Sequence, residues 1–135
     1  MAAVLDASVL VASLVRSETH HERARLLLAR YPVDLPFEVP LLFRVEVIAA
    51  LARRGHAPHL LAASRALCSS PRFRAHPIEV RLTELATAVA ERARIRAYDA
   101  VYVALALHCE ADLVTLDDEL CTRVRTAYPT LPLVT

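Results

Sequence analysis

Short apolar runs alternate along this chain with longer segments whose apolar residues recur at helical spacing. Ala2 to Leu5 is a continuous apolar run closed by Asp6, the pattern of a strand covered on both faces of a parallel sheet. Asp6 and Ser8 are N-cap residues for a helix from Val9 to Leu14. A second helix is predicted from Thr19 to Ala29, with Ala24, Leu27 and Leu28 on its apolar face and His21 and Arg25 on the charged one. Pro32, Pro36 and Pro40 make the next stretch a loop with at most a short strand. Leu41 to Arg54 reads as a helix that stops at Gly55, with Arg53 and Arg54 in the last turn, where cations suit the helix dipole. Pro58 opens another helix to about Ser69. Phe73 to Pro77 is a candidate strand, followed by a helix from Glu79 to Arg94. Ala97 to Glu110 is apolar nearly all round, as a buried helix is. Asp112 to Leu116 repeats the buried-strand pattern, Asp118 caps a helix to Ala127, and Leu131 to Val134 is the last strand.

Strands alternating with helices predict an α/β fold, a three-layer sandwich with a mostly parallel sheet flanked by helices. No repeat, low-complexity stretch or linker interrupts the 135 residues, so a single domain over 1–135 is expected. In open sheets of this kind, active sites form beyond the carboxyl ends of strands, where the strand order reverses. Asp6 and Asp117 both stand at such ends.

Composition narrows the chemistry. The 16 basic residues are all Arg, which removes any mechanism that needs a lysine nucleophile, a Schiff base or a phosphate-binding lysine. Gly55 is the only glycine, so neither a glycine-rich phosphate loop nor a dinucleotide-binding turn can be built. A formal charge of +1 leaves nucleic acid open as a partner, because a basic rim around an acidic pocket sums to the same value. Cys68, Cys109 and Cys121 form no C-x-x-C pair and read as reduced thiols of a cytoplasmic protein. Met1 to Val15 is apolar but cut by Asp6 and has no basic leader, so neither a signal peptide nor a membrane span is expected.

Four carboxylates stand out. Glu46 has Leu42, Phe43, Ala49 and Ala50 at its helical neighbour positions, where a carboxylate loses hydration unless a cation or donor replaces the water. Asp6 and Asp99 begin helices, as ordinary caps also do. Of the adjacent Asp117 and Asp118, position assigns Asp117 to a pocket and Asp118 to the cap, with their exchange left open. Acids that converge repel one another unless a hard divalent cation lies between them, and an all-oxygen donor set suits Mg²⁺ or Mn²⁺ better than zinc. The pairs His20–His21 and His56–His59 offer no evident third ligand and read as loop histidines.

The segments V-L-D-A-S-V-L-V-A at 4–12, F-R-V-E-V-I-A-A-L at 43–51, A-Y-D-A-V-Y-V-A-L-A at 97–106 and A-D-L-V-T-L-D-D-E-L at 111–120 resemble the PIN domain. More narrowly, they are similar to the VapC-type toxins of toxin–antitoxin pairs, in order and spacing over essentially the whole chain. The resemblance implies a five-stranded parallel sheet and an endoribonuclease that hydrolyses RNA phosphodiester bonds with a metal-activated water. It places the family's acids on Asp6, Glu46, Asp99 and Asp117, which would hold Mg²⁺ or Mn²⁺, and its small hydroxyl positions on Ser8 and Thr115. It further implies a homodimer and a cognate VapB-type antitoxin. Arg16, Arg53, Arg54, Arg94 and Arg96 are candidates for phosphate contacts, with Arg94 and Arg96 nearest Asp99 in sequence. The missing lysine argues against a haloacid-dehalogenase-like phosphatase or a receiver domain. A PIN-fold binding module without nuclease activity is the competing reading.

Overall fold

The computed structural model describes residues 2–135. In chain order these form β1 (Ala3–Leu5), α1 (Ala7–Leu14), α2 (His21–Ala29), β2 (Phe37–Pro40), α3 (Phe43–Arg53), α4 (Pro58–Cys68), β3 (Phe73–His76), α5 (Val80–Ala93), α6 (Ala97–Cys109), β4 (Asp112–Val114), α7 (Asp118–Ala127) and β5 (Leu133–Val134). All strand pairs are parallel, in the order β3-β2-β1-β4-β5. The three residues of β1 are buried, so both faces of the central strand are covered, as its unbroken apolar run requires. The helices associate in two groups. In one, α1 packs on α2 and α3, and α3 on α4; in the other, α5 packs on α6 and α7, while α6 lies against β1, β2 and β4. The α/β sandwich with a parallel sheet is therefore as expected from the alternating pattern, and its five strands are as the resemblance implied.

The proline-rich stretch ends in the short strand that its pattern allowed, β2, with all four residues buried and a place beside the central β1. Pro40, which has no N–H to give the ladder, stands at the strand's last position, where the loss is smallest. Glu38 on this strand is only 7% exposed. It is satisfied by two neighbours on β3, Arg74 Nη1 at 2.9 Å and His76 Nε2 at 2.6 Å. Arg74 and His76 are two residues apart and so share a face of the sheet. A reading that changes is the start of α3, at Phe43 instead of Leu41. The Leu41 amide donates to the His76 carbonyl at 2.8 Å, which holds it to the sheet and delays the helix.

Helix ends often use a residue in the left-handed region, and this chain has one glycine to supply it. Gly55 does so after α3, at φ 74°. Elsewhere Arg94 (φ 56°) closes α5 and Glu110 (φ 51°) closes α6, where the Ala111 amide reaches back to the Ala106 carbonyl at 2.9 Å. Left-handed backbone costs a residue with a Cβ about 1–2 kcal/mol. Glycine would relieve that strain at Glu110 but would return about 0.4–1 kcal/mol through its freedom in the unfolded chain. Glu110→Gly is therefore expected to stabilise by about 0.5–1 kcal/mol, seen as a higher urea midpoint at unchanged slope. An unchanged or lower midpoint would contradict this account of the cap.

Candidate active site

Pairing of β1 with β4 continues one residue past the strand, because the Asp6 amide donates to the Val114 carbonyl at 3.0 Å. Asp6 is thereby set beside the Thr115–Asp117 turn, at the carboxyl ends of two adjacent strands. This is also where the strand order reverses, β2 and β3 lying on one side of β1 and β4 and β5 on the other. Asp6 caps α1, accepting from Ser8 Oγ at 2.9 Å and from the Ser8 amide at 3.4 Å. Thr115, fully buried, donates its hydroxyl to Asp6 Oδ2 at 2.7 Å and accepts from the Asp117 amide at 3.1 Å. Ser8 and Thr115 thus both brace the same carboxylate.

The cap of α7 is Asp117, not Asp118. Asp117 Oδ1 accepts from the Leu120 amide at 2.9 Å, and the same side chain lines the cleft. Asp118 lies one residue into the helix, exposed, with Arg23 Nη2 at 3.4 Å. An N-cap side chain occupies the residue before the first helical turn, and here that residue is also the last of the strand-to-helix corner.

Asp6, Glu46, Asp99 and Asp117 line one cleft of about 730 Å³, with Ser8, Arg53, Arg54, Arg96, His20 and Tyr98 among its other walls. Because α3 begins at Phe43, Glu46 belongs to its first turn and not to a helix interior; Asp99 is in the first turn of α6. All four acids therefore stand at helix starts, those of α1, α3, α6 and α7. The positive ends of four helix dipoles face the collected negative charge. Arg94 and Arg16 are not on the cleft wall. Arg94 gives its carbonyl to Arg123 at 3.2 Å, and Arg16 borders a separate shallow depression. Arg54 is engaged with Glu18 at 3.1 Å, and Arg96 reaches Asp99 at 3.3 Å.

The helix starts do not cancel the cost of gathering these acids. Burial pushes the Glu46 carboxyl upward, the Tyr102 hydrogen bond pulls it back, and the charges of Asp6 and Asp99 push it up again. Burial likewise raises Asp99, the Arg96 guanidinium opposes it, and Asp6 and Asp117 add to the rise. Sequence reasoning passed over Tyr102, which is 1% exposed and donates its hydroxyl to Glu46 Oε1 at 2.7 Å. The available signal was a phenol inside an otherwise apolar helix, since a buried hydroxyl needs a partner. It lies one turn after Asp99, on the same helical face.

The donor chemistry suits a hard divalent cation. The cleft offers carboxylate oxygens from four segments, and the mutual push on Glu46 and Asp99 marks negative charge in excess of what Arg96 supplies. Among the described residues, no three His, Cys, Asp or Glu side chains stand close enough to make a ready coordination shell. The set fits Mg²⁺ or Mn²⁺ in kind and charge, and Mg²⁺ commonly keeps several waters among few carboxylate ligands. The three cysteines are unpaired, and burial raises each thiol. No helix among the described residues is long and apolar enough to cross a membrane.

The family model of the PIN domain matches residues 3–125. No curated protein sequence matches the chain. Among solved structures, the fold is similar to that of Mycobacterium tuberculosis VapC20, a toxin that cleaves the sarcin–ricin loop. The two are 19% identical with a TM-score of 0.76, over 90% of this chain and 94% of that one. A toxin–antitoxin complex from Klebsiella pneumoniae is matched at 19% identity and TM-score 0.72, over 100% of this chain and 97% of that one. VapBC2 from Rickettsia felis, solved with a DNA fragment from its promoter, is matched at 15% identity and TM-score 0.69, over 98% and 97%.

Raised values for Glu46 and Asp99 mean that the folded chain binds these protons more tightly than the unfolded chain. Their contribution to stability is fully present below the ordinary values of 4.5 and 3.8 and is lost as pH rises through the raised ones. Glu46→Gln keeps an oxygen for Tyr102 but carries no charge. In chelator, its stability relative to the native chain should therefore improve between about pH 4 and about pH 8. Urea unfolding at both pH values checks this; a difference that stays flat with pH would contradict it.

Proposed function

The chain belongs to the PIN domain family, and from that premise we propose that it is a metal-dependent endoribonuclease, the toxin of a VapBC-type toxin–antitoxin pair. One observation carries the reading: Asp6, Glu46, Asp99 and Asp117, from four separate segments, line one cleft at the carboxyl ends of β1 and β4, beside a fifth acid, Glu18, that is paired with Arg54. Asp6, Glu46, Asp99 and Asp117 are the residues that would hold Mg²⁺ or Mn²⁺. Such an ion, when bound, neutralises charge at the scissile phosphate and acidifies water there.

The chain's own residues supply the rest. Ser8 and Thr115 keep the Asp6 carboxylate turned into the cleft. Asp99 and Asp117 are the candidates to orient or deprotonate the attacking water. Burial raises the Asp99 carboxyl, which makes it a better proton acceptor than a free carboxylate. At the rim, Arg53 and Arg96 present guanidinium groups suited to phosphate oxygens. The substrate on this reading is RNA, the whole of 1–135 acts as one PIN domain, and the protein works in the cytoplasm as a homodimer.

The toxin–antitoxin complexes among similar structures support a cognate VapB-type antitoxin as partner. Leu42, Val45 and Tyr98 on the cleft wall would receive an amphipathic antitoxin segment whose cationic side chain reaches the acids.

Purified, antitoxin-free protein should cleave structured RNA with Mg²⁺ or Mn²⁺ and not with chelator. Asp6→Asn and Asp99→Asn should each lower cleavage by more than about a hundredfold, since loss of an outer-shell partner alone commonly costs about 10–100-fold. Asp118→Asn should keep activity. Metal-independent cleavage, or acid variants as active as the native protein, would overturn the proposal.

A further inference from the structure

Glu46 is held by a single side chain. Its Oε1 accepts from the Tyr102 hydroxyl at 2.7 Å, and no other side-chain hydrogen bond to Glu46 occurs among the described residues. The carboxylate stands at the end of a flexible stem with three rotatable bonds, which an unfixed side chain samples freely. Asp6 and Asp99 both push on it electrostatically, so without an anchor the favoured motion is outward, away from the other acids. The anchor is a buried group and not one of the residues lining the cleft.

Tyr102 itself has almost no freedom. It is 1% exposed in the middle of α6, among Val103, Ala104, Leu105 and Ala106, which are all fully buried. A phenol in such surroundings is costly unless its hydroxyl is satisfied, and the carboxylate satisfies it with a charge-assisted bond. The backbone of Ala7, next to Asp6, lies against the same hydroxyl. One oxygen therefore meets the start of α1 and the carboxylate of α3, from a residue one turn beyond Asp99.

We propose that Tyr102 is a positioning residue of the acidic site: its hydroxyl fixes the Glu46 side chain so that Oε2 is left to face the cleft. The packing of α6 needs only the ring, which phenylalanine would supply equally. The hydroxyl serves Glu46. Tyr102 makes no contact with substrate on this account and acts only through the carboxylate it orients. The functional meaning rests on the nuclease reading above, whereas the positioning itself does not.

The test compares native protein with Tyr102→Phe, and uses Tyr31→Phe as a second phenol whose hydroxyl bonds elsewhere, to Asp112 at 2.9 Å. In metal-free protein carrying labelled glutamate, NMR relaxation of the Glu46 methylenes should report an ordered side chain in the native form and a mobile one in Tyr102→Phe. Titration with Mn²⁺ should show affinity weakened about 10–100-fold in Tyr102→Phe and unchanged in Tyr31→Phe. RNA cleavage by Tyr102→Phe should fall in kcat with little change in KM. A Glu46 side chain as ordered in Tyr102→Phe as in the native chain overturns the proposal, whatever happens to activity. So does a lower melting temperature accompanied by native Mn²⁺ affinity, which would make the hydroxyl a stabilising group only. Native protein that cleaves no RNA would count against the nuclease reading alone, since side-chain order and Mn²⁺ affinity decide the positioning role without it.

Discussion

Negative charge gathered in one partly dehydrated cleft is the constraint to which the rest of this structure answers. Each acid sits at the start of a helix, where the dipole favours an anion by about 0.3–1 kcal/mol, and the four helices come from four parts of the chain. That help is smaller than the cost of burial and mutual repulsion, because Glu46 and Asp99 still hold their protons more tightly than free carboxyls do. The remaining work falls to neutral hydroxyl groups. Ser8 and Thr115 fasten Asp6, and Tyr102 fastens Glu46. Donors of this kind restrain a carboxylate without neutralising it, which leaves the cleft's charge available.

The scaffold serves the same end by placing the most buried strand at the centre of the chemistry. β1 has neighbours on both sides, so the position of Asp6 is set by two ladders at once. α6 lies against three strands and contributes both Asp99 and the phenol below it. Away from the cleft, the other buried acid is treated differently. Glu38 is met directly by Arg74 at one carboxylate oxygen and by His76 at the other, so both of its oxygens are already engaged. The contrast separates an acid held for structure from acids held open.

Much of this was legible in the residues. The unbroken apolar run at 2–5 and the mostly apolar stretch at 112–116 mark strands because a strand covered on both faces has little polar side to show. Gly55 marks the end of α3 because only glycine enters left-handed backbone without strain. What was missed depends on contacts between distant segments. β2 was legible only as at most a short strand, because the pairing with β1 and β3 that gives it a place in the sheet lies outside its own proline-rich stretch. The start of α3 shifts because Leu41 is drawn to His76, a partner 35 positions away, and that shift moves Glu46 into the first turn. Asp117 and Asp118 differ by which one meets the Leu120 amide, a distinction of backbone geometry that adjacent identical letters cannot carry. The Tyr102–Glu46 pair joins residues 56 apart, and neither residue's local pattern names the other.

The central place of β1 also bears on how the protein comes into being. A ribosome delivers this strand before either of its neighbours, yet one of them, β4, begins only at Asp112. Pairing across so long a stretch of chain is slow to close and waits until Asp112 and the residues after it are available. A nascent chain that has not yet emerged as far as Asp117 lacks one wall of the cleft and the strand that seats Asp6. Assembly of the acidic site is thus tied to emergence of the chain as far as Asp117, whatever local structure forms before it.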